Sequence, residues 1–193
     1  MIGKKAPNFS CQGVIGGQVR NDITLDTFAG KYKVLFFYPK DFTFVCPTEL
    51  HAFQDRLPEF AEHNTEVIGC SIDEPATHCA WLKTPKKEGG IEGVTYALLC
   101  DVDHTIAREY GVYDEANKVA FRGLFILDKN NVVQCVMINN APFGRSVDEV
   151  LRLVEAVQFV EKNGQACPAN WQEGKSGIKT DKEGLLEYFK KEA

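Results

Sequence analysis

The sequence predicts an α/β fold with a central mixed sheet and a C-terminal arm. Strand patterns alternate with helical patterns, and a hairpin pattern and a long amphipathic helix follow them. After that helix, the segment QACPANWQEGKSGIKT is polar and rich in Gly and Pro, which is typical of an extended arm. The length of 193 residues suits one well-cored domain with an appendage.

Short apolar runs predict the strands of the sheet. KVLFFY, EVIGCSI and YALLCD are each typical of a strand that is buried on both faces, the first of them over 34–38. VAFRGLFILD and VVQCVMIN flank KNN, which is typical of a β-hairpin. Three buried strands with intervening helices, followed by a hairpin, indicate a sheet of mixed direction.

Apolar spacing and capping residues predict the helices. Apolar residues three and four positions apart predict one helix over roughly 46–63. Pro75 fits the start of another helix, and a long helix is expected over 146–164 with Ser146 and Glu149 as a capping box. We therefore predict a domain over 1–164 and an arm over 165–193, which ends in a helix capped by Asp181.

Charge and hydropathy exclude several classes of partner. The chain has 22 basic and 27 acidic residues and no block of Lys and Arg beyond short pairs, so neither a nucleic-acid nor a membrane surface is expected. No signal-peptide pattern and no apolar run long enough for a membrane span is present, which predicts a cytoplasmic protein. The four histidines lack metal-site spacing and no G-x-G-x-x-G occurs, so no metal and no cofactor is predicted.

The stretch PKDFTFVCPTEL places a thiol where a helix is expected to begin. With Pro47 as the first helical residue, Cys46 is the predicted N-cap and Glu49 has the position of a capping-box acid. Unpaired backbone N–H groups and the helix dipole favour a thiolate there, and a thiolate is a nucleophile. The Thr43 hydroxyl can reach that thiolate and a polar substrate. The alternative is an inert cysteine that fills the junction of strand and helix.

A second sulfur is absent beside Cys46, although T-x-x-C resembles a C-x-x-C redox motif with Thr in place of its first cysteine. Any disulfide partner must therefore come from a distant part of the chain. Five other cysteines lie within predicted elements and are expected to be buried thiols: Cys11, Cys70, Cys79, Cys100 and Cys135. Cys167 lies in the arm, next to Pro168 and close to Trp171, and is the candidate partner.

Several motifs together resemble one enzyme family. FYPKDFTFVCPTE, FRGLFILD, GRSVDE and ACPANW occur in that order along the chain. They resemble the typical two-cysteine peroxiredoxins, in the branch of the alkyl hydroperoxide reductase peroxidase component and the thioredoxin peroxidases. The resemblance implies a thioredoxin-like fold and a thiol-specific peroxidase that reduces hydrogen peroxide and organic hydroperoxides.

The resemblance also assigns roles to residues. It implies that Cys46 is the peroxidatic cysteine, which becomes a sulfenic acid, and that Cys167 of the partner subunit is the resolving cysteine, which forms a disulfide with it. Pro39 would shield the site and Thr43 would orient the peroxide. Arg122 would hold the thiolate and the peroxide oxygens. Supporting positions fall on two further residues, Glu49 and Arg145, for which a helix-cap acid and a loop base are the alternatives.

The same resemblance implies the partners. The electron donor would be thioredoxin or a flavoprotein disulfide reductase, between which the sequence does not decide. The subunit would form a homodimer that assembles into a decameric ring. Two other functions stay open from the sequence: a holdase chaperone with a redox switch, and a thiol-disulfide oxidoreductase without peroxidase activity.

Overall fold

The structure is a computed structural model that describes residues 1–192. The chain forms two compact units, the first over Met1–Val147 and the second starting at Asp148. The first unit contains every strand of the main sheet, and the second contains most of the long helix and the segment that follows it. The predicted domain boundary after residue 164 stays a prediction.

A seven-stranded mixed sheet forms the middle of the first unit, in the order β2-β1-β5-β4-β3-β8-β9. Strands β3, β4 and β5 are parallel, whereas β1 and β8 pair with this group in antiparallel fashion. The predicted mixed sheet is confirmed, and so is the hairpin of β8 and β9. The strands are β1 Cys11–Ile15, β2 Gln18–Ile23, β3 Tyr32–Phe37, β4 Thr65–Ser71, β5 Ala97–Cys100, β6 Tyr113–Asp114, β7 Val119–Ala120, β8 Arg122–Leu127 and β9 Val133–Asn139.

Six α-helices are formed by the described residues. They are α1 Cys46–Asp55, α2 Leu57–Glu62, α3 Pro75–Lys83, α4 Thr105–Glu109, α5 Val147–Asn163 and α6 Lys182–Glu192. The predicted start of a helix at Pro75 is confirmed, because the proline at the first position lacks only an N–H that would have had no helical partner. Asp181 caps α6 as predicted, since its Oδ1 accepts the Gly184 N–H at 2.7 Å.

The prediction of one helix over 46–63 is wrong. The chain forms two helices there, because α1 ends at Asp55 and Arg56 has dihedral angles outside the helical region (φ −103°, ψ 7°). Pro58 follows in the first turn of α2. A proline has no backbone N–H to continue the hydrogen-bond ladder of the preceding turn, so the apolar spacing persists while the helix itself breaks.

The sequence analysis did not predict the hairpin of β1 and β2. Its turn contains Gly16 and Gly17, both with positive φ (56° and 78°). A Gly-Gly pair between two short strands is a recognised signal for a two-residue hairpin turn, because glycine adopts positive φ without steric cost. The signal was present in the sequence and was not used.

Aromatic packing on β3 fixes helix α1 against the sheet. The side chains of neighbouring residues in a strand point to opposite faces of the sheet, so Phe36 and Phe37 pack on opposite faces. Phe36 stacks on Phe53 of α1 with ring centroids 4.4 Å apart, while Phe37 contacts Tyr110 and Phe125. Helix α1 is thereby held on one face, and it begins close to where the chain leaves β3. The start of α1 lies at the carboxyl edge of the parallel strands, where open α/β sheets bind ligands.

Within residues 1–192, no helix has both the length and the apolar composition that crossing a membrane requires.

Candidate active site

Cys46 is the first residue of helix α1 and is fully buried. The prediction that Cys46 is the N-cap is wrong by one residue, because Val45 already has helical dihedral angles (φ −78°, ψ −36°) and takes the N-cap position. Pro47 is consequently the second helical residue. The thiol still lies in the first turn, where backbone N–H groups and the helix dipole favour negative charge.

Arg122 lies against the sulfur. Its Nη1 donates to Cys46 Sγ at 3.4 Å, and its Nε donates to the Ala141 carbonyl at 2.8 Å. Arg122 is the first residue of β8 and is 3 % exposed, so the guanidinium is held by the sheet rather than by solvent. The fold brings together two of the predicted site residues that are far apart in sequence.

Glu49 does not cap helix α1, and the capping-box prediction for it is wrong. Its Oε2 accepts from Arg122 Nη1 at 2.6 Å and from Arg145 Nη2 at 2.9 Å. Its Oε1 accepts from the Nε and the backbone N–H of Arg145, at 2.7 and 2.8 Å. Two buried guanidinium charges thus share one carboxylate, and the remaining positive charge favours an anion at the neighbouring sulfur.

Arg145 connects the sheet to this cluster, although it was predicted only as a supporting residue. Its side chain has no solvent exposure. Nη1 donates to the carbonyls of Phe37 and Gly123, at 2.9 and 2.7 Å, and the guanidinium lies 5.2 Å from the Phe36 ring centroid. The end of β3 and the start of β8 are therefore hydrogen-bonded to the side chain that holds Glu49.

Thr43 and Pro39 lie in the loop between β3 and α1, and both are half-buried. The Thr43 hydroxyl donates to the Lys40 carbonyl at 2.8 Å, so its proton is engaged within the loop. In this arrangement the hydroxyl can accept a hydrogen bond from a substrate but does not donate to the thiolate. The predicted roles of Thr43 and Pro39 stay predictions.

The second unit holds Cys167 against one stripe of helix α5. Arg152, Ala156 and Phe159 follow one another at helical spacing, and each contacts the arm. Cys167 Sγ donates to the Ala156 carbonyl at 3.8 Å, and the Trp171 ring lies 4.7 Å from that of Phe159. Burial raises the pKa of the Cys167 thiol, and the nearby Arg152 charge offsets this only in part. The contacts on α5 therefore favour the protonated thiol of Cys167 over its thiolate.

The other cysteines differ from prediction in their burial. Cys70 and Cys100 are buried as expected, whereas three are only half-buried: Cys11, Cys79 and Cys135. Cys135 lies on the edge strand β9, Cys11 is the first residue of β1 next to the edge strand β2, and Cys79 lies on helix α3. The apolar neighbours in the sequence did not reveal these positions. Burial, together with Cys100 and Asp101, raises the pKa of Cys11 to about 12. Burial also raises the pKa of the Cys70 thiol.

Sequence reasoning missed two groups of residues at the site. Ala141 contributes only a backbone carbonyl, which no side-chain pattern can reveal. Asp41 and His78 form a fully buried ion pair beneath the loop that contains Pro39 and Thr43. Asp41 stands beside the charged Lys40 in the same short loop, so no local pattern marked it as buried, and the histidines were weighed for metal-site spacing and not as partners of a carboxylate.

Comparison with known proteins agrees with this geometry. The model of the AhpC/TSA family matches residues 2–136, and that of the C-terminal domain of 1-Cys peroxiredoxin matches residues 156–191. The chain belongs to the AhpC/TSA family. Peroxiredoxin prdx-2 of Caenorhabditis elegans is 50% identical over 190 residues, which cover 98% of this chain and 94% of that relative.

Two further proteins extend the comparison. A thioredoxin peroxidase of Echinococcus granulosus is 48% identical over 179 residues, 93% of this chain and 92% of the relative. The reduced 2-Cys peroxiredoxin of Plasmodium vivax superposes with a TM-score of 0.94 at 43% identity, covering 98% of both chains. The chain is therefore a typical two-cysteine peroxiredoxin with a thioredoxin-like fold, and its activity is that of a thiol-dependent peroxidase. The predictions of family, fold and enzyme class are confirmed.

Replacing Glu49 by Gln leaves two buried guanidinium groups without their carboxylate. We expect Glu49→Gln to lower the free energy of unfolding by about 3–5 kcal/mol, because removing one partner of a buried ion pair leaves an uncompensated charge. Urea unfolding followed by circular dichroism measures this. The matched control is Glu115→Gln, which breaks a surface pair with Arg108 and should cost at most about 1 kcal/mol. Equal effects of the two substitutions would contradict the role assigned to Glu49.

Proposed function

We propose that Cys46 is the peroxidatic residue of this peroxiredoxin, and the observation that carries the proposal is the contact of 3.4 Å between its Sγ and Arg122 Nη1. The thiolate attacks the terminal oxygen of a hydroperoxide. An S–O bond forms as the O–O bond breaks, the leaving oxygen takes a proton and departs as water or an alcohol, and Cys46 becomes a sulfenic acid.

Arg122 supports this step through its charge and its direction. Negative charge develops on the leaving oxygen as the O–O bond breaks, and an N–H donor already aimed at that region stabilises it without reorganisation. Arg122 Nε donates a hydrogen bond to the Ala141 carbonyl, and Nη1 donates one to the Glu49 carboxylate. The plane of the guanidinium is therefore fixed before the substrate arrives. Glu49 and Arg145 are supporting residues that hold the plane. Thr43 orients the peroxide, and Pro39 shields the sulfenic acid from solvent.

Cys167 of the partner subunit resolves the sulfenic acid. Once released from α5, the Cys167 thiol gives up its proton and its thiolate attacks Cys46 Sγ. An S–S bond forms as the S–O bond of the sulfenic acid breaks, the leaving hydroxyl takes up a proton and departs as water, and an intersubunit disulfide remains. The step needs local movement, because Cys46 is fully buried in the first turn of α1 and Cys167 is bonded to α5. The first turn of α1 must unwind, and the arm must separate from Arg152, Ala156 and Phe159 of α5, before the two sulfurs can meet.

An external dithiol protein then reduces the disulfide. The relative from Echinococcus granulosus is named a thioredoxin peroxidase, which supports thioredoxin as the donor for this chain as well. A flavoprotein disulfide reductase is the alternative donor. Because both cysteines must be kept reduced between cycles, we place the enzyme in the cytoplasm, where thioredoxin maintains thiols in that state.

The first prediction concerns the two cysteines. Stoichiometric hydrogen peroxide should convert the reduced protein to covalent dimers on a non-reducing gel, whereas Cys46→Ser and Cys167→Ser should both remain monomeric. Cys79→Ser is the matched control and should dimerise like the wild type, because Cys79 lies outside the proposed pair. Reduced thioredoxin should return the dimers to monomers. Dimers in Cys167→Ser, or no peroxide consumption by the wild type, would contradict the proposal and favour a redox-switched binding protein.

The second prediction concerns Arg122. Arg122→Lys keeps a positive charge but loses the planar fork that contacts sulfur, Glu49 and Ala141 together. We expect the second-order rate constant for Cys46 oxidation to fall about 100-fold, which is the size of effect seen when one aligned donor is removed from an anion site. Stopped-flow tryptophan fluorescence measures it. Arg20→Lys, at an exposed position on β2, should react at the wild-type rate. A change of less than twofold in Arg122→Lys would exclude this role.

The third prediction concerns assembly. We propose a homodimer that associates into a decameric ring of 21.6 kDa subunits, with the exposed rings of Phe42 and Phe44 (52% and 94% exposed) at the contact between dimers. Sedimentation velocity of the reduced protein should show the decamer, and Phe44→Lys should give dimers. Val102→Lys, at another exposed apolar position, should stay decameric. A monomeric wild type would contradict the assembly without affecting the assignment of Cys46.

A further inference from the structure

A cluster of buried polar side chains joins the loop that contains Pro39 and Thr43 to the elements beneath it, and the reaction described above does not use it. Asp41 is at its centre. Its Oδ1 accepts from the Tyr38 hydroxyl at 2.8 Å, and its Oδ2 lies 2.7 Å from Nδ1 of His78 on helix α3. The Asp41 backbone N–H donates to Asp73 Oδ2 at 2.8 Å, and the Ser71 hydroxyl donates to the same oxygen.

The surroundings of His78 require its charged form. Nδ1 faces the Asp41 carboxylate and Nε2 faces the Leu99 carbonyl at 3.2 Å, and neither partner has a proton to donate. A neutral imidazole has only one N–H, so both contacts are satisfied only by an imidazolium. Burial is the largest single effect and lowers the pKa, but hydrogen bonds and charge interactions with Asp41 and Cys100 together outweigh it and raise the pKa of His78 to about 10. The other ionisable groups that act on this cluster are Tyr38, Asp73 and Cys100.

The ion pair holds a loop whose backbone is strained. Asp41 lies midway between Pro39 and Thr43, and Phe42 follows it with a left-handed φ of 54°. A residue with a Cβ rarely adopts this conformation, because its Cβ comes too close to the following carbonyl oxygen. The Phe42 ring packs on Trp81 with centroids 5.8 Å apart. Contacts of Asp41 and Phe42 with helix α3 therefore fix the loop immediately before the reacting cysteine.

We propose that His78, as an imidazolium, is a positioning residue for peroxide reduction, because its pairing with Asp41 holds Pro39 and Thr43 in place beside Cys46. The inference rests on the proposed role of Cys46. His78 touches neither the sulfur nor the substrate, and it acts only through the shape of the loop. A histidine in this role needs its charge, since a neutral side chain would leave the Asp41 carboxylate buried without a countercharge.

The test measures the second-order rate constant for oxidation of Cys46 by hydrogen peroxide in His78→Asn and Asp41→Asn. We expect a fall of at least tenfold in each, and no further fall in the double variant, because both substitutions remove the same pair. Tyr110→Phe is the control, since it loses another buried hydrogen bond, to the Pro7 carbonyl at 2.8 Å, away from the loop. Its rate constant should equal that of the wild type.

The pH profile separates positioning from a loss of general stability. A histidine whose pKa is raised in the folded state contributes stability that is fully present below about pH 6.5 and is lost as the pH rises through about 10. After a rapid jump in pH, the wild-type rate constant should therefore fall as the pH passes about 10. His78→Asn should lack this alkaline limb relative to the wild type, because the group that titrates there is gone.

The possible results are distinct. A rate constant of folded His78→Asn within twofold of the wild type, or an equal fall in Tyr110→Phe, overturns the inference. An alkaline limb that persists in His78→Asn also overturns it. If His78→Asn does not fold, Tyr38→Phe decides, since it removes one hydrogen bond to Asp41 and keeps the ion pair; a fall of about two- to fivefold supports the inference and no change opposes it. A wild type that does not react with peroxide refutes the proposed function itself.

Discussion

The site depends on one carboxylate that two arginines share. Glu49 lies one turn after Cys46 on helix α1, Arg122 begins strand β8, and Arg145 follows the hairpin. Through these three side chains the helix, two strands and a loop meet at one point. Burying ions carries a large cost in solvation, which good geometry offsets without any large net gain in stability. The arrangement is therefore better explained by what it does to the sulfur than by its contribution to the fold.

In the proposed cycle, the spacing of Cys46 and Glu49 also separates the part of helix α1 that unwinds from the part that keeps its place. Cys46 lies at the start of the first turn, where its sulfur accepts a hydrogen bond from Arg122 of β8. Glu49 accepts three hydrogen bonds from two guanidinium groups and a fourth from the Arg145 backbone N–H, so the helix from this residue onward is fixed. One turn can unwind for disulfide formation while the arginines keep their places for the next cycle. A sulfur placed one turn later would need the ion pairs to break.

Sequence reasoning found what local patterns encode. The apolar runs located the strands of the central sheet, and Pro75 and Asp181 marked helix starts. The thiol expected near a helix start lies in the first turn of α1, and its role as the nucleophile stays a prediction. It failed where tertiary contacts compete with local ones. Glu49 has the spacing of a capping acid, yet a guanidinium from 73 positions away binds it instead. Asp41 and His78 are separated by 37 positions, and no pattern in one sequence shows that such residues meet.

The protonated state of Cys167 has a consequence for stoichiometry. While Cys167 is held on α5, burial raises its pKa and so disfavours the thiolate that would attack a peroxide molecule; in the proposed cycle it becomes a nucleophile only after the arm has moved. Burial also raises the pKa of the Cys11 and Cys70 thiols and so disfavours their thiolates. In the proposed cycle, each subunit therefore reacts with one peroxide molecule at a time, a two-electron oxidation at Cys46, and its disulfide is reduced before the next molecule reacts. Keeping the second thiol inactive is what allows one molecule of peroxide to yield one disulfide rather than two competing oxidised cysteines.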